Sequence, residues 1–197
     1  MSHPHPPQPA KLVIGLFLKE KALLPEVAEA LESCFGCLEM ASLWFDFNYT
    51  DYYDTEMGAP LYRRMLVFQG LIAQAALADI KCATNDLEKR FVRDSKRRVN
   101  LDPGYLLYER FVLATGKNFS HRIYIGRGIY ADLTLVYQKG AYRSLPWTYP
   151  DYAADTMRAF LAKVREHYAA DLAAQKNAGA INGPSCLEGD PFPCSKA

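Results

Sequence analysis

Between Arg97 and Tyr137 the chain carries Asn100, Asp102, Lys117, His121, Arg122 and Asp132, side chains able to hold an anion and move a proton. Arginine forks and lysine point charges bind phosphate or carboxylate. Lys117, His121, Arg122 and Arg127, with Arg97 and Arg98 before them, form a basic group suited to that task. His121 beside Lys117 and Arg122 has its charged form disfavoured, so it could serve as a neutral acid or base near pH 7. The plainer alternatives are a hydrogen-bonding surface histidine and a solvated strand face with neutralising partners.

Acids form a second group: Asp46, Asp51, Asp54, Glu56, Asp102 and Asp132. Asp46 interrupts the apolar run Leu43–Phe47, and a carboxylate there must face water, pair with a cation or bind metal. Three converging carboxylates could hold Mg²⁺, but no D-x-D or EF-hand spacing supports it, and ion pairs with nearby arginines satisfy these acids more simply. Tyr49, Tyr52, Tyr53, Tyr105, Tyr149 and Tyr152 flank the polar motifs. Such rings either frame a ligand or pack loops onto a sheet.

Known reaction motifs are missing. Thr115-Gly116-Lys117-Asn118 has the Gly-Lys of a P-loop without its earlier glycine or its Ser/Thr, and there is no G-x-G-x-x-G, which argues against a P-loop or dinucleotide site. No Ser/His/Asp or Cys/His motif has a recognisable context. Cys34 and Cys37 make a C-x-x-C at the end of a predicted helix, where the dipole opposes thiolate formation. Without a second ligand pair for zinc they are read as ordinary thiols. Cys186 and Cys194 lie in a Gly- and Pro-rich tail.

The 197 residues suit one domain, and half of them are hydrophobic. A net charge of +1 argues against a general polyanion binder. No apolar run approaches the ~20 residues that span a bilayer, and the Pro-rich start lacks the apolar core of a secretory signal. A cytoplasmic location is expected.

The elements that must position these groups are read from periodicity. Residues 1–10 are read as a disordered tail. Lys11–Leu18 is a buried strand. Pro25 opens a helix burying Val27, Leu31, Cys34 and Phe35, and Gly36 closes it. Strands are expected at Leu43–Phe47, Tyr62–Gln69 and Arg97–Leu101, with a helix near Leu77–Val92 between the last two. Asp102-Pro103-Gly104 reads as a turn. Tyr105–Ala114 is ambiguous between strand and short helix. Arg122–Ile125 and Ile129–Tyr137 form a hairpin across Gly126-Arg127-Gly128, with Ile123 and Ile125 toward the core and Arg122 and Tyr124 on the open side. Asp151 is expected to cap a final helix burying Met157, Phe160, Leu161, Val164 and Tyr168, and residues 177–197 are read as a second tail. The order β-α-β-β-α-β predicts an α+β fold, with a ferredoxin-like (split βαβ) core and antiparallel sheet extended by a C-terminal β-hairpin and a final helix.

The chain also resembles a bacterial family called domain of unknown function 4416. The resemblance rests on Thr50-Asp51-Tyr52-Tyr53 with Glu56-Met57-Gly58, on Arg98 through Tyr105, and on Leu113-Ala114-Thr115-Gly116-Lys117. His121-Arg122-Ile123-Tyr124, Gly128-Ile129-Tyr130 and Thr148-Tyr149-Pro150-Asp151-Tyr152 extend it, and it covers roughly residues 11–170. It implies no established activity. Some members carry a GTP-binding label, to which the missing P-loop lends no support, and Asp132 stands where the family pattern has Glu.

Together these features predict a single domain over residues 11–172 with one polar cleft. Its ligand would be small and anionic, phosphate-bearing, a nucleotide among the options. Lys117 and Arg122 would bind the anion, Tyr52, Tyr53 and Tyr149 would frame it, and Asn100 and Asp102 would orient it. His121 or Glu56 would be the acid–base group. The competing expectations are a non-catalytic module binding RNA or protein, against which the balanced charge weighs, and a metal-dependent hydrolase.

Overall fold

A computed structural model of the chain describes residues 1, 3–45, 57 and 60–181. Tyr52, Tyr53 and Glu56, with Asp46, Asp51 and Asp54, lie outside the described residues, as do Cys186 and Cys194.

The fold is α+β, built on an antiparallel sheet of eight strands. In chain order the elements are β1 (Lys11–Leu18), α1 (Leu24–Phe35), β2 (Leu38–Ala41), β3 (Tyr62–Phe68), α2 (Leu77–Arg90), a two-stranded hairpin of β4 (Val92–Arg93) and β5 (Lys96–Arg97), β6 (Val99–Leu106), β7 (Arg110–Thr115), β8 (Arg122–Gly126), β9 (Ile129–Gln138), β10 (Ala141–Ser144), α3 (Pro150–Ala153) and α4 (Asp155–Ile181). The sheet runs β10-β9-β7-β6-β1-β3-β2, and β8 branches off β9.

β1 lies inside the sheet between β6 and β3 and every one of its residues is buried, which explains its apolar run after Lys11. Alternation sends Leu12, Ile14, Leu16 and Leu18 to one face, where Val27 and Leu31 of α1 and Ile80 and Leu87 of α2 cover them. Val13 faces the other way, with Met65 and Val67 of β3, and α4 closes that side through Met157, Leu161, Val164 and Tyr168. Among the described residues no helix is long and apolar enough to cross a membrane.

Several sequence expectations are corrected. The second strand is Leu38–Ala41, not Leu43–Phe47, of which only Phe45 makes a bridge, to Arg63. Asp102-Pro103-Gly104 is no turn but the middle of β6, paired with β1 along its whole length. Pro103 is tolerated because pairing with β7 begins only at Gly104, so the missing N–H falls just past the end of that ladder. Gly104 fits the β7 crossing because it lacks a side chain: a Cβ there would stand 2.5 Å from the Val112 carbonyl oxygen. Tyr105–Ala114 resolves into the end of β6, a tight connection and most of β7. Strand β10 went unread. Ala10, read as part of the N-terminal tail, is buried and bridges Ile72, and α4 runs to Ile181, into the segment read as the second tail.

The hairpin across Gly126-Arg127-Gly128 forms as expected, with positive φ at all three residues. Its faces follow expectation at Tyr124, which is 60% exposed, and at Ile125, which packs against the core, but not at Ile123, which is 68% exposed, or at Arg122, whose side chain is nearly buried. β8 pairs with β9 alone, so no core lies beneath Ile123, and an ion pair turns Arg122 inward.

Candidate functional site

A row of mutually opposite residues crosses the sheet: Arg122 on β8 faces Asp132 on β9, Asp132 faces Leu113 on β7, and Leu113 faces Gly104 on β6. Directly opposed residues point to the same face. The hairpin turn fixes this register and so brings Arg122 to Asp132.

Asp132 is the hub. Its side chain is 4% exposed. Arg122 Nε donates to Asp132 Oδ2 at 2.9 Å, and His121 Nε2 lies 3.2 Å from the same oxygen. Thr134 Oγ1 donates to the Asp132 carbonyl at 3.1 Å. A buried carboxylate survives only when paired and hydrogen-bonded in this way.

Each nitrogen of the Arg122 guanidinium makes a hydrogen bond. Besides Asp132, Nη1 donates to the Lys117 carbonyl at 3.0 Å and Nη2 to the Tyr149 hydroxyl at 2.7 Å. Arg122 therefore braces the loop that carries Lys117 and ties it to the segment entering α3. That loop is further ordered by the Lys117 N–H donating to Thr115 Oγ1 at 3.2 Å.

His121 is held from three sides. Its ring stacks on Trp147 with centroids 4.8 Å apart at 11°, and it meets Phe119 edge-on at 5.3 Å. Trp147 is itself fixed by donating from Nε1 to the Leu133 carbonyl at 2.8 Å. The neighbouring Thr148 hydroxyl donates to the Thr134 carbonyl at 2.6 Å and accepts from the Leu145 N–H at 2.8 Å. A carboxylate on Nε2 leaves Nδ1 of His121 as the second exchangeable position, the arrangement of an oriented acid–base imidazole.

The structure thus brings His121, Arg122 and Tyr149, with the backbone of Lys117, around Asp132. Asn100 and Asp102 are not part of that cluster. They sit on β6, two strands from β9 and two to four residues along from Gly104, which is in register with Asp132, and therefore more than about 10 Å away. Asn100 Nδ2 donates to Asp102 Oδ2 at 2.7 Å, and Asp102 also faces Lys81 Nζ at 3.6 Å. Among the described residues no three His, Cys, Asp or Glu side chains come together as a metal site would require.

Sequence reasoning passed over Trp147 as a positioning group and Arg63 altogether. It also misjudged Asp151. Pro150 at the first position of α3 starts that short helix, and Asp151 caps nothing. It forms a buried ion pair with Arg63 instead. The adjacent Tyr149 reaches Arg122, so α3 links the two cationic groups. The available signal for Arg63 was strand alternation, which sends it, unlike Arg64, to the face of Met65 and Val67, where a charge needs a buried partner.

The model of one family, Domain of unknown function (DUF4416), matches residues 8–168. No curated protein and no solved structure matches the chain. The match takes in most of the chain, including every element from β1 through α3 and much of α4, and the chain belongs to that family.

Proposed function

Taking membership of this family as the premise, we propose that the protein is a cytosolic domain that binds a small anionic, phosphate-bearing ligand at the corner where the β7–β8 loop meets the β10–α3 connection. Lys117 supplies the cation, His121 the proton-exchanging group and Tyr149 the aromatic edge. Arg122 acts through Lys117 and Tyr149 by holding both in place. The sheet order β6-β1-β3-β2, with α1 and α2 as the crossovers on one face, supports a split βαβ core beneath this corner. Asn100 and Asp102 belong to the adjoining β6 surface and orient a ligand only if it reaches about two strands across. Tyr52, Tyr53 and Glu56 keep their proposed framing and acid–base roles from the Asn48–Gly58 connection.

The observation that carries this reading is the Asp132–His121 pair stacked on Trp147, beside a lysine whose loop is pinned by Arg122. An imidazole oriented by a buried carboxylate, four residues after a lysine on the same loop, suits proton transfer to or from a phosphate-bearing substrate. Thermal-shift titration with inorganic phosphate, nucleotides and sugar phosphates at millimolar concentration is the test. Wild type gains stability with at least one of them, and Lys117→Ala and His121→Ala do not. Equal responses from wild type and Lys117→Ala, or none at all, overturn the reading.

A second reading has one observation behind it. The β4–β5 hairpin and its flanks gather Arg90, Arg93, Lys96, Arg97 and Arg98, with Asp94 as the acid among them. A basic projection on a nearly neutral chain suits a polyanion, RNA included, and salt-dependent binding to single-stranded RNA would favour it. Mg²⁺ enters only with the ligand's phosphates.

A further inference from the structure

The end of the sheet at which β1 finishes is basic. Lys19, Arg93, Lys96, Arg97 and Arg98 line an open cavity of about 210 Å³ there, with Glu20 and Asp94 as its acids. Glu20 pairs with Arg98, and Arg97 reaches Glu88 on α2. Arg93 and Lys96 are less well served. They stand directly opposite each other in the β4–β5 hairpin, so they point to one face, and both are exposed. Arg93 has only Asp94, at 3.9 Å with both side chains in solvent, and Lys96 has no ion-pair partner among the described residues. Like charges directly opposed in this way destabilise a hairpin. The turn adds to the cost, because Asp94 and Ser95 hold φ of 50° and 60°, a left-handed pair usually given to Asn-Gly. A hairpin that keeps two facing cations on a strained turn gains when a polyanion neutralises them.

Aromatic rings lie across the end of β1 from that hairpin. Leu18 pairs with Val99 on one side and with Tyr62 on the other, so Tyr62 is about 10 Å, two strand spacings, from the strand that follows the hairpin. Trp44 meets Tyr62 edge-on at 6.2 Å, and both rings are half-buried. Lys21 Nζ lies 4.7 Å from the Tyr62 centroid and 5.3 Å from that of Trp44. Lys21 is exposed, and an ammonium in solvent leaves a ring at little cost.

We infer, resting on the polyanion reading of the β4–β5 hairpin, that this end of the sheet binds a single-stranded nucleic acid. Its phosphates meet Arg93 and Lys96, the strand crosses the end of β1, and one base takes the place of Lys21 on Tyr62. The displaced ammonium is then free to meet a further phosphate. A base stacked on an aromatic ring outweighs an exposed cation over it. The ring also selects a single strand, since the bases of a duplex are already stacked on one another and only its backbone is within reach.

The test is fluorescence anisotropy of the full chain with labelled oligouridine and oligothymidine of about 12 nucleotides and with a duplex of the same length, over about 50–200 mM salt. Wild type binds at least one single strand about ten-fold or more tighter than the duplex, and the difference between the two strands names the preferred sugar. R93S/K96S weakens that binding and lowers the slope of log Kd against log salt by about 1.4, two phosphate contacts at about 0.7 each. Tyr62→Leu weakens it about ten-fold with the slope unchanged, and Tyr62→Phe, which keeps the ring, binds like wild type. Equal binding by Tyr62→Leu and wild type, or a duplex held as tightly as either single strand, overturns the inference and leaves the polyanion reading of the hairpin standing. No salt-dependent binding of any of the three, or binding untouched in R93S/K96S, overturns both.

Discussion

Asp132 shows how one residue can organise a site by being expensive to bury. Its carboxylate is out of water, so the fold must bring cations to it, and Arg122 and His121 are what the hairpin register delivers. Removing it should therefore cost far more than its size suggests. Asp132→Ala leaves the nearly buried Arg122 guanidinium without its counter-charge and should destabilise the protein by about 3–5 kcal/mol in urea denaturation. The double variant R122M/D132L should recover much of that loss, because no uncompensated charge remains. A loss no larger than ~0.5 kcal/mol in the single variant, the size seen at ordinary surface positions, would mean that Asp132 is not the hub. The sequence made Lys117, His121 and Arg122 visible as chemically capable groups. It did not reveal that Arg122 spends its donors on Asp132, Lys117 and Tyr149, because those partners lie 5 to 27 residues away and meet only through tertiary register.

At the scale of elements, α2 does a job usually done by a strand. Between Val99 and Pro103, β6 has no β7 partner, so Leu101 would leave its amide and carbonyl unpaired on that side. Lys81 Nζ donates to the Leu101 carbonyl at 2.7 Å, and Glu88 Oε1 accepts from the Leu101 N–H at 2.7 Å. Two side chains about two turns apart on one face of α2 stand in for a neighbouring strand. Lys81→Met should strand the carbonyl and cost about 1–3 kcal/mol by thermal or chemical denaturation. This substitution also explains the worst element error. Asp102-Pro103-Gly104 has turn chemistry by every local rule, and only the absence of β7 at that point lets Pro103 stay in a strand. The long periodic elements, β1, α1, β3 and α2, were legible because burial on a defined face is written into their spacing. Short β2 and β10 were not, since four residues carry almost no period. Asp151 was misread because its partner, Arg63, lies 88 positions earlier in the chain.

For the whole molecule, the buried Lys11 is a fastener. It pairs with Glu39 of β2 and with Asp171 of α4, and His167 Nδ1 lies 2.6 Å from Glu39 Oε1. The first strand, an edge strand and the last helix are thereby joined by one ammonium group. Burial alone would raise the Glu39 carboxyl, but hydrogen bonds and charge from Lys11 and His167 outweigh it and hold Glu39 below its ordinary 4.5. A lowered folded value means the unfolded chain takes up the proton first. This contribution is therefore present above pH 4.5 and is lost as pH falls through the folded value. Glu39→Gln should flatten the acid side of the Tm-against-pH curve in that window and leave its neutral side parallel to wild type. An unchanged acid slope would remove Glu39 from the account.

The position of β1 has a consequence for how the chain comes off the ribosome. Of the strands in this sheet, the one made earliest ends up between two that begin only at residues 62 and 99. At about 5–20 residues per second, the roughly 80 residues between Leu18 and Val99 take about 4–16 s to emerge. Through that interval an eight-residue apolar ribbon has no lasting partner on one or both edges. The yield of soluble product should thus be governed by translation speed and chaperone supply while the stretch between β1 and β6 is being made, more than by the stability of the finished protein.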